Sequence, residues 1–235
     1  MAKGTSGRGE LRGRLLLTAD NTRERLIVVA ERLFAEHGFD GVTLKQITTE
    51  AGQRNASALQ YHFGSRVDLV RAIVARQMPI LNEKRNRLLD AVEAEGRGGD
   101  LRALLEAMIR PLVELLEDQV DGRYWVRFMA QAWSNPRSGL SDVVRNDFNT
   151  GVVRGGLMAA GLMGALPSEV IRQRLSLLSG QVLHGLVDYD RFVEEHRAER
   201  AGVSPFFFHG LVDMLVGELT APVSPATLAS MTTRR

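Results

Sequence analysis

An all-α fold class is predicted for this chain of 235 residues. Apolar residues recur at intervals of three and four positions in one segment after another, which is the period of one face of an α-helix. No stretch of convincing length alternates apolar and polar residues, so no β-strand is predicted. With 44% hydrophobic and 25% charged residues, the composition is that of a globular protein with enough apolar side chains to form a core.

The first two helices are predicted from an apolar stripe and a cap. Leu26, Ala30 and Leu33 lie at helical spacing and have charged residues on the opposite face. After a glycine-bearing break, Thr43 is followed three residues later by Gln46, which is the pattern of a capping box. We therefore expect a second helix to begin at Thr43.

The third and fourth helices are predicted from their ends. Gly52 is expected to end the second helix, because glycine tolerates the positive φ found there. Asn55 is a favourable N-cap for a third helix over residues 56–62, and Ser65 with Asp68 caps a fourth. A short helix, a glycine-bearing turn and another short helix, packed on a third helix, form helix-turn-helix geometry.

The same segment resembles a known family. Residues 30–52, AERLFAEHGFDGVTLKQITTEAG, are followed by a short helix that ends with YHFGSR at residues 61–66. In this order and spacing they resemble the N-terminal DNA-binding domain of the TetR family of bacterial transcription regulators, over residues 22–72. Between Gly52 and Phe63 the chain carries one residue more than the commonest pattern of that family.

The predicted third helix has side chains suited to reading DNA bases. An α-helix fits the major groove, and small residues at its start allow close approach. Asparagine and glutamine pair with adenine, alanine contacts the thymine methyl group, and arginine binds guanine or a phosphate. The candidates for these contacts are Arg54, Asn55, Ala56, Ser57, Ala58 and Gln60.

Phosphate contacts are predicted beside these residues. The resemblance implies that Tyr61 and His62 contact phosphates and orient the helix rather than read bases. Each such residue taken alone is equally compatible with ordinary solvated surface. Four further residues are candidates to hold flanking phosphates through side chains and free backbone N–H groups, and they are Thr43, Lys45, Ser65 and Arg66.

The chain is expected to divide into a small and a larger helical domain. Proline lacks an N–H and clashes with the preceding turn, so Pro79 should bend or interrupt the long fourth helix. The expected division is a flexible basic arm (1–20), the helix-turn-helix domain (21–66), a C-terminal domain (67–221) and a frayed tail (222–235). The later helices are predicted near residues 100–116, 122–133, 139–160, 168–200 and 205–219.

The resemblance implies a homodimer and an effector pocket in the C-terminal domain. In the family, two C-terminal helices of each subunit form a four-helix interface, and a palindromic operator requires two-fold symmetry. The same apolar stripes would equally serve a monomer core. The candidate interface residues are Leu175, Leu178, Val182, Leu186, Phe207, Leu211, Met214 and Leu215.

Candidate effector contacts come from methionine and aromatic residues. Such side chains suit an apolar cavity with few polar groups, although they suit an ordinary core equally well. His184 lies in an otherwise apolar stretch and is the polar side chain best placed to fix a ligand. The candidates are Trp125, Phe128, Met129, Trp133, Met158, His184 and Tyr189.

Several functional classes are excluded. The chain has no cysteine, which excludes disulfides and thiolate metal sites, and its five histidines show no metal-ligand spacing. Nucleophile-elbow, phosphate-loop and zinc-protease motifs are absent, so we expect neither an enzyme nor a cofactor. No apolar run reaches about eighteen residues, so we expect a cytoplasmic protein without a membrane span.

Charge is distributed unevenly along the chain. Residues 1–87 contain 15 Lys and Arg against 9 Asp and Glu, a net charge of +6, and residues 88–235 contain 15 against 19, a net charge of −4. A basic N-terminal third on an acidic remainder is typical of a protein that binds phosphates at one end, although chance can also produce it.

These observations predict a ligand-responsive transcription regulator. The simplest form is a repressor that binds a palindromic DNA operator as a dimer and is released by a small apolar or amphipathic effector. Two alternatives remain open, namely an activator of the same family and a helical protein-interaction module that does not bind DNA. The second alternative predicts no salt-sensitive affinity for DNA.

Overall fold

The computed structural model describes residues 22–53, 55, 57–118, 120–148, 150–195 and 204–232. Regular structure in this part of the chain is entirely helical, which confirms the predicted all-α class. The expected N-terminal arm, Arg54 and Ala56 lie outside the described residues. Besides one 3-10 turn at Pro136–Ser138, the helices are α1 (Thr22–His37), α2 (Leu44–Glu50), α3 (Ala58–Phe63), α4 (Arg66–Ala94), α5 (Leu101–Asp118), α6 (Val120–Trp133), α7 (Leu140–Asp147), α8 (Thr150–Leu162), α9 (Ser168–Glu195), α10 (Pro205–Thr220) and α11 (Pro225–Thr232).

The caps predicted around the helix-turn-helix are present. Thr43 Oγ1 accepts a hydrogen bond from the Gln46 N–H at 3.2 Å, and Gln46 Oε1 accepts one from the Thr43 N–H at 2.8 Å. Ser65 Oγ accepts a hydrogen bond from the Asp68 N–H at 3.1 Å, and Gly52 has a φ of 72°. Because these bonds satisfy donors that a helix start leaves free, they fix where α2 and α4 begin.

The third helix starts two residues later than predicted. Asn55 was expected to cap a helix over residues 56–62, whereas α3 covers Ala58–Phe63. The Asn55 Oδ1 instead accepts a hydrogen bond from the Ser57 N–H at 2.9 Å. This local bond holds the backbone in a turn and competes with helix formation, as asparagine side chains commonly do.

Of the two predicted effects of Pro79, a bend or an interruption of the fourth helix, the interruption does not occur. α4 is continuous over 29 residues. A proline inside a helix costs roughly 3 kcal/mol. Leu69, Ile73 and Leu81 of the same helix are almost fully buried, and burying each one contributes about 1.5–3 kcal/mol. The packing of α4 against α5, α7 and α8 therefore outweighs the lost backbone hydrogen bond.

The single helix expected over residues 139–160 is two helices. α7 ends at Asp147 and α8 begins at Thr150. At the break, the side-chain amide of Asn82 on α4 donates to the Phe148 carbonyl at 2.8 Å. This side chain satisfies a carbonyl that a continuous helix would have bonded itself, so a contact from a distant helix stabilises the break.

The tail expected to fray contains a helix. α11 begins at Pro225, a residue favoured at the first position because its φ suits a helix and it needs no N–H acceptor there. Ser224 Oγ accepts a hydrogen bond from the Thr227 N–H at 3.2 Å and caps the start. The Ser-Pro start is therefore a local signal that the fraying prediction overlooked.

α1 packs along α6 and joins the helix-turn-helix to the rest of the chain. The Phe34 ring of α1 stacks on Phe39 at 4.9 Å between centroids and contacts Phe128 of α6 at 6.1 Å. Trp125, one turn earlier on α6, donates its Nε1–H to the Ile73 carbonyl of α4 at 3.2 Å. Because α1 also packs against α2 and α4, it belongs to the helix-turn-helix and to the body at once.

Arg76 of α4 is the polar counterpart of this packing. Its guanidinium lies 3.0 Å from the Glu24 carboxylate and 2.7 Å from that of Glu31, both on α1. The Glu31 side chain is only 3% exposed. Burial raises the pKa of the Glu31 carboxyl from 4.5 to about 7, and the attraction of Arg76 offsets only part of that rise.

Among the described helices, no single one has both the length and the hydropathy that a bilayer crossing requires. The bent pair Pro205–Thr220 and Pro225–Met231, at 55° to one another, meets both requirements when its two members are taken together, by length and composition alone.

The elevated pKa of Glu31 predicts a pH-dependent stability. The folded state binds the proton more tightly than the unfolded state, so the contribution to stability is complete below pH 4.5 and is lost as pH rises through about 7. We expect the free energy of unfolding to fall between pH 5 and 8, by on the order of 2–3 kcal/mol from this group. Urea denaturation followed by circular dichroism at each pH measures it.

Glu31→Gln should flatten this dependence, because glutamine resembles the protonated acid and does not titrate. Glu24→Gln is the matched control, since it removes the other carboxylate beside Arg76 and leaves Glu31 in place. Parallel pH profiles for Glu31→Gln and the unmodified protein would contradict the assignment of the proton to Glu31.

Candidate nucleic-acid interface and C-terminal cavity

The third helix is anchored by two side chains and presents two others to solvent. Leu59 and Phe63 are buried in the core of the helix-turn-helix. Gln60 is exposed, and the Tyr61 side chain is 86% exposed. Gln60 and Tyr61 lie on the solvent-facing side of the second short helix of a helix-turn-helix, the helix that such motifs place in the major groove, which makes this face of α3 the candidate surface for DNA.

Neighbouring candidates lie around the same face. Asn55 and Ser57 are exposed in the turn before α3, whereas Ala58 is partly buried against the core. His62 is half-buried, with its ring edge-on to Tyr61 at 5.1 Å between centroids. Ala58 is therefore less accessible to a thymine methyl group than its neighbours.

The flanking phosphate candidates have mixed surroundings. Lys45 is exposed on α2. Thr43 and Ser65 are exposed as well, but their hydroxyl groups are engaged in the caps of α2 and α4. Any phosphate that they contact would compete for those hydroxyl groups or bind the backbone N–H groups beside them.

Arg66 does not fit its predicted role as a phosphate contact, because its side chain turns inward. Its guanidinium donates to the carbonyls of Phe39 and Val42, the latter at 3.0 Å. The same group lies over the Phe39 ring at 4.2 Å and over the Phe34 ring at 5.1 Å. Burial lowers the pKa of Arg66. The residue therefore secures the turn between α1 and α2, where free carbonyls and aromatic faces attract a planar cation.

Arg23 is a basic residue near this surface that sequence reasoning missed. It is exposed at the start of α1, and its guanidinium lies 5.2 Å from the centre of the Phe63 ring at the end of α3. The sequence identifies it only as one charge on the polar face of α1. Its position beside α3 comes from packing between helices that are distant along the chain.

The C-terminal helices line a cavity of about 280 Å³ that is partly open to solvent. Its wall is mainly apolar and is built from α4 to α9. Among the predicted effector contacts, Trp125, Met129 and Trp133 line it, all from one face of α6. Two wall residues that the sequence analysis did not name, Met108 and Arg85, come from α5 and α4.

The other four predicted effector residues lie away from the cavity wall. Phe128 is fully buried against Phe34, because α6 turns that side toward α1. Met158 packs in a separate small cluster with helices α4 and α5. His184 is exposed with its ring nitrogen 2.8 Å from Ser134 Oγ, and Tyr189 stacks on Phe207 at 4.0 Å.

Most predicted dimer contacts are internal to the single chain. Leu175, Leu178 and Val182 line the cavity, so this part of the α9 stripe faces inward. Leu186, Leu211 and Leu215 are buried in the core, and Phe207 is half-buried beneath Tyr189. Met214 alone is well exposed, at 73%. Helical spacing identified apolar stripes, but it does not distinguish a stripe that packs on the same chain from one that packs on a partner.

Arg66 yields a test that separates a structural role from DNA contact. Arg66→Met should destabilise the fold by about 2–4 kcal/mol, because it removes charge-assisted hydrogen bonds and a cation–π contact. Thermal unfolding measures the loss. Lys45→Met is the control, since that side chain is exposed and should affect stability by less than about 0.5 kcal/mol. An Arg66→Met protein of unchanged stability and weakened DNA binding would restore Arg66 as a phosphate contact.

Comparison with known proteins agrees with this geometry. The family profile described as "Bacterial regulatory proteins, tetR family" matches residues 26–73, from α1 into α4. The chain is 30% identical over 127 residues, 53% of its length, to the HTH-type transcriptional repressor AcnR of Corynebacterium efficiens. It is 30% identical over 86 residues, 37% of its length, to the repressor of the same name from Corynebacterium glutamicum.

The matched regions cover 63% and 42% of those two relatives, less than two thirds of either. The family and the relatives are regulators of transcription by name, in agreement with the prediction that the chain is not an enzyme. The family match covers the helix-turn-helix of the structure. It is also the segment whose sequence resembles this family. The N-terminal helix-turn-helix therefore matches the model of the TetR family of bacterial regulatory proteins, and about half of the chain is similar to a transcriptional repressor.

Proposed function

We propose that this chain is a transcriptional repressor that binds a palindromic operator as a homodimer and releases it when a small molecule occupies the C-terminal cavity. The observation that carries the proposal is the continuity of α4. This helix begins at the Ser65 cap, immediately after α3, and reaches the cavity wall at Met78 and Arg85. One rigid element thus joins the DNA-facing surface to the cavity.

The DNA-binding part of the proposal rests on the exposed face of α3. Gln60 can pair with adenine through its side-chain amide in the major groove. Tyr61 is positioned to contact a phosphate, which fixes orientation without reading sequence. Lys45 and Arg23 are exposed on the adjoining helices and supply positive charge toward the same phosphates.

The coupling of cavity to DNA is supported by distance along α4. Residues 66 and 85 are nineteen positions apart, which corresponds to about 28 Å at 1.5 Å per residue. A displacement of the cavity end of α4 would move α3 because only Gly64 and Ser65 separate the two helices. A ligand that binds better to one spacing of the two DNA-reading helices would shift the population toward that spacing.

The dimer is proposed to form through the outer face of α9 and α10. These helices are antiparallel, because Arg174 of α9 donates to the Leu219 and Ala221 carbonyls at the end of α10, each at 2.7 Å. The pair exposes large apolar side chains, including Phe206 at 87% and Met214 at 73%. Exposed apolar groups of this size commonly mark an interface between proteins.

The direction of regulation follows the two matched relatives, both named transcriptional repressors. An activator with the same DNA-binding unit would differ in its effect on transcription and not in the operator contacts. A helical module that does not bind DNA would lack any salt-dependent affinity. As a protein that acts on DNA in a bacterium, the regulator is expected in the cytoplasm.

Gel-shift titrations with DNA selected from a randomised library test the operator contacts. Gln60→Ala should lower affinity by about 1–3 kcal/mol at one base-pair position and relax preference there. Tyr61→Ala should weaken binding about equally on every sequence. For the unmodified protein, log affinity should fall linearly with log salt concentration.

Met214 and Phe206 also allow a test of the dimer face. Phe206→Glu combined with Met214→Glu should give a folded monomer by sedimentation, with operator binding lost, since charges would be desolvated in the interface. Leu178→Glu combined with Leu211→Glu is the comparison pair, and it should destabilise the single chain because both leucines pack within it. A Phe206/Met214 double mutant that stays dimeric would place the interface elsewhere.

A further inference from the structure

Arg85 is a buried charged residue in the wall of the cavity. It is 5% exposed and lies on the face of α4 that also carries Met78, Leu81 and Leu89. Its neighbours in the wall are mainly apolar side chains of α5, α6, α8 and α9. A cation in such surroundings is destabilised unless a negative charge or a set of hydrogen bonds compensates it.

The partners of Arg85 are all neutral. Its Nε–H donates to the Met108 carbonyl at 3.1 Å, and Nη1 donates to Asn82 Oδ1 at 3.2 Å and approaches Met78 Sδ at 3.7 Å. No carboxylate among the described side chains contacts it. Arg154, on the adjacent helix, shows the contrast, because it pairs with two carboxylates.

The charge on Arg85 is retained at neutral pH. Burial lowers the pKa of its guanidinium to about 10, which still leaves the group protonated near pH 7. Burial is the sole cause of this shift, so no described charged group offsets it. The cavity therefore contains a cation whose counter-charge the described part of the chain does not provide.

Glycines of α8 keep this cation enclosed. A side chain at Gly151 would lie 3.2 Å from Arg85 Cβ and 3.0 Å from Asn82 Oδ1, and one at Gly155 would collide with Met108. The backbone of α8 therefore covers α4 and α5 closely at this point. An arginine with that little access to water interacts strongly with any anion that enters the cavity.

We propose that the cavity binds a small molecule with a single carboxylate on an otherwise apolar body, and that Arg85 receives the carboxylate. The guanidinium is planar and presents a fork of N–H donors that matches the two oxygens of a carboxylate. One negative charge balances one positive charge. That such a molecule is the effector rests on the proposed function above, whereas its binding to the cavity does not.

The remainder of the cavity defines the body of the ligand. Since one water occupies about 30 Å³ of liquid, a volume of about 280 Å³ accommodates roughly ten non-hydrogen atoms. Trp125, Trp133 and Met129 give the wall aromatic and thioether surfaces that adapt to aliphatic or aromatic groups. Octanoate and 3-phenylpropionate have this size and chemistry.

Tryptophan fluorescence measures occupancy directly. The chain has two tryptophans, and both Trp125 and Trp133 line the cavity. The purified full-length protein would be titrated with octanoate and with 1-octanol, which has the same chain and no charge. The pair 3-phenylpropionate and 3-phenyl-1-propanol repeats the comparison with an aromatic body. Each acid should bind roughly tenfold to a hundredfold more tightly than its alcohol, as expected for charge-assisted hydrogen bonds to a buried guanidinium.

Variants assign the preference to Arg85. Arg85→Met should abolish the preference for the acid while leaving alcohol binding in place, and Arg85→Lys should retain part of it. Arg154→Met is the matched control, because it removes a neighbouring arginine that is already paired and does not line the cavity. Gly156→Leu should weaken the binding of acid and alcohol alike. A side chain at this position would extend into the open space of the cavity and occupy part of the ligand's volume.

Two results would overturn the inference. The first is equal affinity for acid and alcohol in both pairs, which tests it in the unmodified protein even if Arg85→Met fails to fold. The second is an acid preference that survives in folded Arg85→Met. A gel shift with the acids tests the effector role separately from binding to the cavity. Acid binding that leaves the DNA complex intact would support the cavity assignment and contradict the effector role.

Discussion

The packing of α1 against α6 is the constraint on which the rest of the structure depends. Phe34 and Phe128 meet in this contact, and both are fully buried. α1 is the scaffold of the helix-turn-helix, yet one of its faces is covered by a helix from the middle of the chain. A rotation of the helix-turn-helix as an independent body would expose this aromatic contact to water and is therefore unfavourable.

α4 adds a second connection between the same regions. Its first turn is capped beside α3, and its middle forms part of the cavity wall. Arg76 lies between those two points on α4 and forms ion pairs with the Glu24 and Glu31 carboxylates of α1. Movement of α4 is thus transmitted to α1 and α3 together. The proposed response to a ligand requires only a small shift of this helix, since packed helices move as units and transmit strain.

Two arginines of α4 illustrate how surroundings decide the role of one residue type. The Arg66 guanidinium binds two backbone carbonyls and lies over two aromatic rings, so it holds the α1–α2 turn in place. Arg85 also has neutral acceptors, but it lies in the wall of an apolar cavity, where we propose that it binds a carboxylate. The sequence pattern predicted Arg66 to be a DNA contact and gave no role to Arg85. The neighbouring helices decide where both side chains lie.

The sequence by itself determined the helical class, the caps at Thr43 and Ser65, and the helix-turn-helix, because periodicity and capping depend on residues close together in the chain. It also indicated three of the aromatic and methionine residues of the cavity wall. Tertiary structure alone decided that α4 continues through Pro79, that α9 turns Leu178 inward, and that Arg85 faces a cavity. Those outcomes depend on burial against helices that are distant along the chain. Packing contributes several kcal/mol to stability and outweighs local conformational preferences, each of which is smaller.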